Sequence, residues 1–205
     1  MIDFEEHVLG FPKNGWVTIS FAGDDQLRFQ FDRTFRSYRI PHVLFRDSTQ
    51  RYHAQGVDGV GDREEVLKYI RSWTKKGLKT RTIGISSGSY AALLYGQLAP
   101  VDEVIAISPL TGRETDDWDP KWHWKIAPSP PFMPDLRQFF PNGPIPKVTA
   151  FISDGDECRF PDGFEADRYM AQRIGIKDIV MIPGYAHKDL AGVMRDKGIL
   201  KKLLT

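Results

Sequence analysis

One cysteine, Cys158, is all the chain contains. An internal disulfide is therefore excluded, no Cys/His spacing of the zinc-binding kind exists, and a reducing compartment is expected. An excess of one charge is missing too, since 28 basic side chains face 27 acidic ones. With no basic run, nothing in the pattern predicts binding to nucleic acid or to an anionic membrane. No apolar stretch approaches the ~20 residues of a membrane span. The opening segment, Met1-Ile2-Asp3-Phe4-Glu5-Glu6-His7, is acidic and lacks the apolar centre of a secretory signal. Internal repeats and low-complexity tracts are absent. What remains is the profile of a cytoplasmic globular protein whose 205 residues form one domain.

Short apolar runs alternate with helix-like stretches. Strands are expected at 16–21, 38–45 (with Pro41 weakening its start), 80–85, 102–108, 147–153 and 178–182. Helices are expected from Asp62, the N-cap, to Gly77, and over 88–97, 162–174 and 188–204. Strands that alternate with helices form a parallel sheet covered on both faces, so the fold class is α/β, with a mostly parallel central sheet of six to seven strands.

The feature that carries chemistry is Gly84-Ile85-Ser86-Ser87-Gly88, which joins a strand directly to a helix. In that setting a serine sits on a sharp strained turn with its hydroxyl exposed, and glycines are needed where backbones crowd. A serine nucleophile needs a base, an orienting carboxylate and an oxyanion hole, all from loops at the carboxyl ends of strands. His187 lies on the loop after the last strand and is the candidate base. Asp156, three residues past the fifth strand, is the candidate acid, with Asp154 a competitor and Asp162 a remote one. The oxyanion donors are expected to be the backbone N–H groups of Ser87 and Asp24. Gly23-Asp24-Asp25 also reads as a plain turn. A dinucleotide or phosphate loop is excluded, because neither Gly-x-Gly nor Gly-Lys-Ser/Thr is present.

Residues 110–146 break the alternation. The stretch contains three of the five tryptophans (Trp118, Trp122 and Trp124) and, with Pro109, nine of the fourteen prolines. It reads either as a lid whose aromatics, Phe132, Phe139 and Phe140 among them, line an acyl pocket, or as an excursion covering the core or a dimer contact.

The order Ser86, Asp156, His187, together with the elbow and Gly184-Tyr185-Ala186-His187, resembles the α/β-hydrolase superfamily from about Trp16 to Leu204. The resemblance implies a serine hydrolase with Ser86 as nucleophile, His187 as base, Asp156 as acid and Ser87 as an oxyanion donor. It also implies an ester or thioester substrate, with no cofactor and no metal. Ala22-Gly23 stands where the family usually has His-Gly. The family's antiparallel N-terminal hairpin is expected to be shortened or absent. An acyltransferase on the same triad, or a non-catalytic binding protein of the same fold, are the alternative readings. The sequence does not reveal the oligomeric state.

Overall fold

The structure is a computed structural model that describes residues 3–8, 15–23, 28–49, 51–112, 133–155 and 166–205. Nine strands are described in chain order: β1 Phe4–His7, β2 Trp16–Phe21, β3 His42–Phe45, β4 Gly56–Val57, β5 Gly61–Asp62, β6 Lys79–Ser86, β7 Glu103–Pro109, β8 Lys147–Ser153 and β9 Asp178–Ile182. The helices are α1 Asp32–Tyr38, α2 Arg63–Lys75, α3 Ser87–Leu98, α4 Ala166–Gln172, α5 Leu190–Asp196 and α6 Ile199–Leu204.

Seven strands form one sheet in the order β1-β3-β2-β6-β7-β8-β9. Every pairing is parallel except that of β1 with β3. As expected, the N-terminal antiparallel part is short, a single four-residue edge strand, and the parallel core has the six strands expected. From β2 the chain steps outward to β3, then crosses back to β6 on the other side. The carboxyl ends of β2 and β6 therefore diverge at a topological switch point, where open α/β sheets hold their ligands.

Strand period decides which face each side chain reaches. Val17, Ile19 and Phe21 join Val104 and Ala106 in a core with helices α2, α3 and α4. Ile83, Ile85, Ile105 and Ile107 pack on the opposite face with α1, α5 and α6. Helix α3 lies so deep that eleven of its twelve residues are buried.

Three segments depart from the sequence expectations. Tyr38 ends α1 rather than starting a strand; Arg39 caps the helix at φ 56°, and β3 begins only at His42. Pro41 lacks an N–H and restricts Ile40, so strand pairing cannot begin earlier. The C-terminal helix is two helices, broken at Gly198, whose φ of 70° is left-handed. Helix α4 ends at Gln172, just before a left-handed Gly175, and residues 162–165 of its expected span lie outside the described residues. By contrast, the Asp62 side chain accepts the Glu65 N–H at 3.0 Å, as the N-cap of α2 should. Among the described residues, no helix is long and apolar enough to cross a membrane.

Candidate active site

Ser86 ends β6 at φ 53° and ψ −120°, a conformation L-residues avoid. Two close backbone approaches force it there. A Cβ on Gly84 would stand 2.0 Å from the Gly88 carbonyl oxygen, and one on Gly88 would stand 2.2 Å from the Phe21 oxygen. The register between β6 and β7 slips at Ile85/Ser86, which pairs Ser86 with Pro109. Such a bulge re-aims a side chain at the end of a ladder. Ser89, fully buried, fixes the turn: its hydroxyl donates to the Ser86 carbonyl at 2.5 Å and accepts the Leu110 N–H at 2.9 Å.

The neighbouring strand end is strained as well, with Ser108 at φ 46°. Its hydroxyl donates to the His187 carbonyl at 3.3 Å, and its own carbonyl lies 3.5 Å from the Ser89 hydroxyl. Hydroxyl-to-carbonyl contacts of Ser89 and Ser108 thus link the elbow to the His187 loop. That loop is also held from β8. The Asp154 carboxylate accepts the Gly184 N–H at 2.6 Å, and the Gly155 N–H donates to the Tyr185 carbonyl at 3.2 Å. Asp154 therefore clamps the loop.

His187 Nδ1 lies 3.1 Å from Asp167 Oδ1. The His187 side chain is 27 % exposed and that of Asp167 only 4 %. A carboxylate oxygen accepts here, so Nδ1 carries the proton of this contact. Asp167 Oδ2 is buried without a hydrogen-bond partner among the described residues, so of these the imidazole is the chief compensation for the buried acid. Asp156 and Asp162 lie outside the described residues.

Asp167 belongs to no motif in the sequence, where it looks like one more acid on a helix. A signal exists nonetheless. Asp167, Met170, Ala171 and Ile174 fall at i, i+3, i+4 and i+7, and all are buried. An acid on the apolar stripe of a helix must have a partner inside.

On the opposite side of the elbow, the Phe21-Ala22 backbone crosses over Gly88, and the Gly23 N–H donates to Gln30 Oε1 at 2.7 Å. Asp24 and Asp25 lie outside the described residues. Ser87 is the first residue of α3, whose N-terminal dipole favours negative charge beside it. Beneath this loop lies His53, with Nε2 3.1 Å from the Ala22 carbonyl and its ring edge-on to Phe21.

Burial holds His53 below its ordinary pKa of 6.5, against the opposing pull of Asp47 and of the Ala22 carbonyl. Below that pH the unfolded chain protonates this histidine while the folded chain does not. The unfolded state then binds more protons, so stability is full at neutral pH and falls as the pH drops through about 6.5. Urea denaturation should show a lower midpoint at pH 5.5 than at pH 7.5, well above the range where carboxylates titrate. Equal midpoints would contradict this assignment.

Residues 110–112 and 134–135 of the expected excursion are pinned beside α3. The Leu110 N–H meets Ser89, and the Tyr90 hydroxyl donates to the Pro134 carbonyl at 2.8 Å. Arg173 bridges these two segments, donating to the Gly112 carbonyl and to the Asp135 carboxylate, each at 2.7 Å. Phe140 is buried in the α3-side core, with Phe139 packed against it. Trp118, Trp122, Trp124 and Phe132 lie outside the described residues.

No protein-family model and no curated protein sequence matches the chain. Solved structures do. A monoacylglycerol lipase from Paleococcus ferrophilus superimposes with a TM-score of 0.58 at 16 % identity, over 99 % of each chain. The capsule O-acetyltransferase of Neisseria meningitidis serogroup A gives 0.58 at 14 % identity, over 98 % of this chain and 89 % of that one. An alpha-beta serine hydrolase homologue from Coxiella burnetii gives 0.56 at 13 % identity, over 98 % and 90 %. Together with the sheet order and the strained serine at its switch point, these matches show that the chain has the α/β-hydrolase fold.

Proposed function

We propose that the protein is a serine hydrolase that cleaves a carboxylic ester or thioester through an acyl-enzyme on Ser86. The observation that carries this reading is the buried Asp167 on His187 Nδ1, on a loop tied by hydrogen bonds to a strained serine elbow. In the proposed reaction Ser86 Oγ attacks the carbonyl carbon while His187 Nε2 takes the hydroxyl proton. The same nitrogen then gives that proton to the leaving alcohol or thiol. Water, deprotonated by His187, hydrolyses the acyl-enzyme and restores the serine. Asp167 holds the imidazole in one tautomer and compensates the imidazolium, the role for which spacing alone had chosen Asp156.

The Ser87 N–H and the backbone N–H of Asp24 are assigned to the oxyanion hole, since the Gly23 N–H is already given to Gln30. Each such donor is typically worth about 3 kcal/mol in the transition state. The lid reading of residues 110–146 is supported by Leu110 and Pro134, both held at the first turn of α3 next to Ser86, whereas Phe139 and Phe140 belong to the core rather than to an acyl pocket. The single cysteine supports a cytoplasmic location.

The test is a pair of variants assayed on short-chain esters. Asp167→Asn is expected to lower kcat by about 10³–10⁴-fold with little change in KM, since it leaves the site standing with the wrong tautomer. Asp156→Asn should cost less than about tenfold. The reverse ranking would return the acid role to Asp156.

Acyl transfer is the second reading, favoured by the O-acetyltransferase among proteins of the same fold. It differs only in the acceptor of the acyl group. Product analysis with an added acceptor alcohol separates the two. Hydrolysis unaffected by any acceptor supports the hydrolase, and an acylated acceptor as the main product supports transfer. A purely binding role leaves the backbone strain at Ser86 without a purpose.

A further inference from the structure

The β1–β3 edge brings together polar groups that the reaction at Ser86 does not use. His7 on β1 pairs in register with His42 on β3, and Asp32 opens α1. Their nitrogen and oxygen atoms lie within 4.8 Å of one another. His42 is 2 % exposed, floored by the Phe35 ring at 5.2 Å between centroids.

The hydrogens at this cluster do not satisfy its acceptors. His42 Nδ1 lies 2.7 Å from the Ile40 carbonyl, which only accepts, so the proton is on Nδ1. Nε2 is buried with no hydrogen-bond partner among the described residues, 3.6 Å from Asp32 Oδ1. His7 Nε2 meets two incompatible demands: it is 3.0 Å from Glu5 Oε2, which requires a proton on it, and 2.9 Å from Arg36 Nη2, which requires a lone pair.

Arg36 is the one cation in the group. Its Nε donates to Asp32 Oδ1 at 2.6 Å and its Nη2 stands 4.0 Å from Glu5, yet no contact with His42 Nε2 completes the set. Its side chain is 52 % exposed and free to turn outward to water.

We propose that His7, Asp32 and His42 form a binding site for one divalent transition-metal ion of the zinc class, with Arg36 as the exchangeable cation that the ion displaces. Two imidazoles and a carboxylate suit zinc, cobalt, nickel or copper rather than magnesium or calcium. Donors about 2.1 Å from one tetrahedral ion lie roughly 3.4 Å from each other. The 3.6 Å between His42 Nε2 and Asp32 Oδ1 fits that span. The Nδ1–H bond to the Ile40 carbonyl is the outer-shell contact that fixes a ligating histidine's tautomer and orientation. His7 offers a ring nitrogen within 4.8 Å of the other two donors, and water takes the fourth position. The ion ties the edge strand to α1 and β3, so its role here is structural.

The test uses the full chain, stripped with a chelator and dialysed, then titrated with Zn²⁺ by calorimetry and with Co²⁺ by absorption at pH 7.5. One Zn²⁺ per chain and a rise in Tm are expected. Asp32→Asn should weaken binding at least about tenfold and erase the Tm rise. Arg36→Gln, which removes the competing cation, should tighten it several-fold. Both substitutions are on solvent-reaching side chains, so the result does not depend on a His42 variant folding. Absence of stoichiometric binding, or equal binding by wild type and Asp32→Asn, would overturn the proposal.

Discussion

Replacing Ser86 by alanine is expected to remove ester turnover, with a loss on the order of 10⁴–10⁶-fold in kcat, while leaving the fold intact. Stability should be unchanged, because alanine keeps the Cβ that makes φ 53° and ψ −120° costly. Ser86→Gly separates the two effects. Glycine adopts this conformation without strain, so the variant should be equally inactive yet more stable. Relief of ~1–3 kcal/mol of strain, less ~0.5–1 kcal/mol of chain entropy, leaves a gain of about 1 kcal/mol. A shift in urea midpoint at constant slope would report it. An inactive Ser86→Gly that is less stable than wild type would mean that the turn is not a strain reservoir.

The second large effect is on the fold. Gly88→Ala places a methyl 2.2 Å from the Phe21 carbonyl oxygen and 2.8 Å from the Ala22 carbonyl carbon. Both are backbone atoms of the β2 end, so no side-chain rotation relieves the clash. Gly84→Ala meets the Gly88 carbonyl at 2.0 Å and is expected to behave alike. Each should cost about 3 kcal/mol or more, enough to leave much of a marginally stable chain unfolded. Gly192→Ala is the matched control. It lies in α5 with nothing within 4 Å of its added Cβ, and should stabilise by about 0.5–1 kcal/mol. If Gly88→Ala folds as well as wild type, the packing of α3 against β2 is looser than described.

What the sequence made legible is what local chemistry encodes. The elbow reads directly, because Gly84 and Gly88 are demanded by backbone approaches within one turn. The position of His187 on the loop after β9 reads from the sequence, and its part as base is the proposal. The α2 boundaries read from Asp62 and Gly77, and the six parallel strands from their apolar runs. Asp167 did not read. Its contact with His187, from which the proposed role follows, depends on α4 packing its apolar stripe against β7 and β8, which brings a helix acid to a loop histidine twenty residues further on. Helix α1 was missed for a similar reason. The Phe31, Thr34, Phe35 and Tyr38 stripe was overshadowed by the β-rich run after Pro41. The His7–Asp32–His42 cluster lies on three elements whose convergence depends on the register of an edge strand.

The most direct test of the central claim is labelling with a fluorophosphonate probe, with mass spectrometry of the modified peptide. Wild type, Ser86→Ala and Asp167→Asn are compared side by side. An activated serine predicts a single adduct on Ser86, none in Ser86→Ala, and much slower labelling in Asp167→Asn. Folded wild-type protein that takes up no probe, or takes it up elsewhere, would contradict the account.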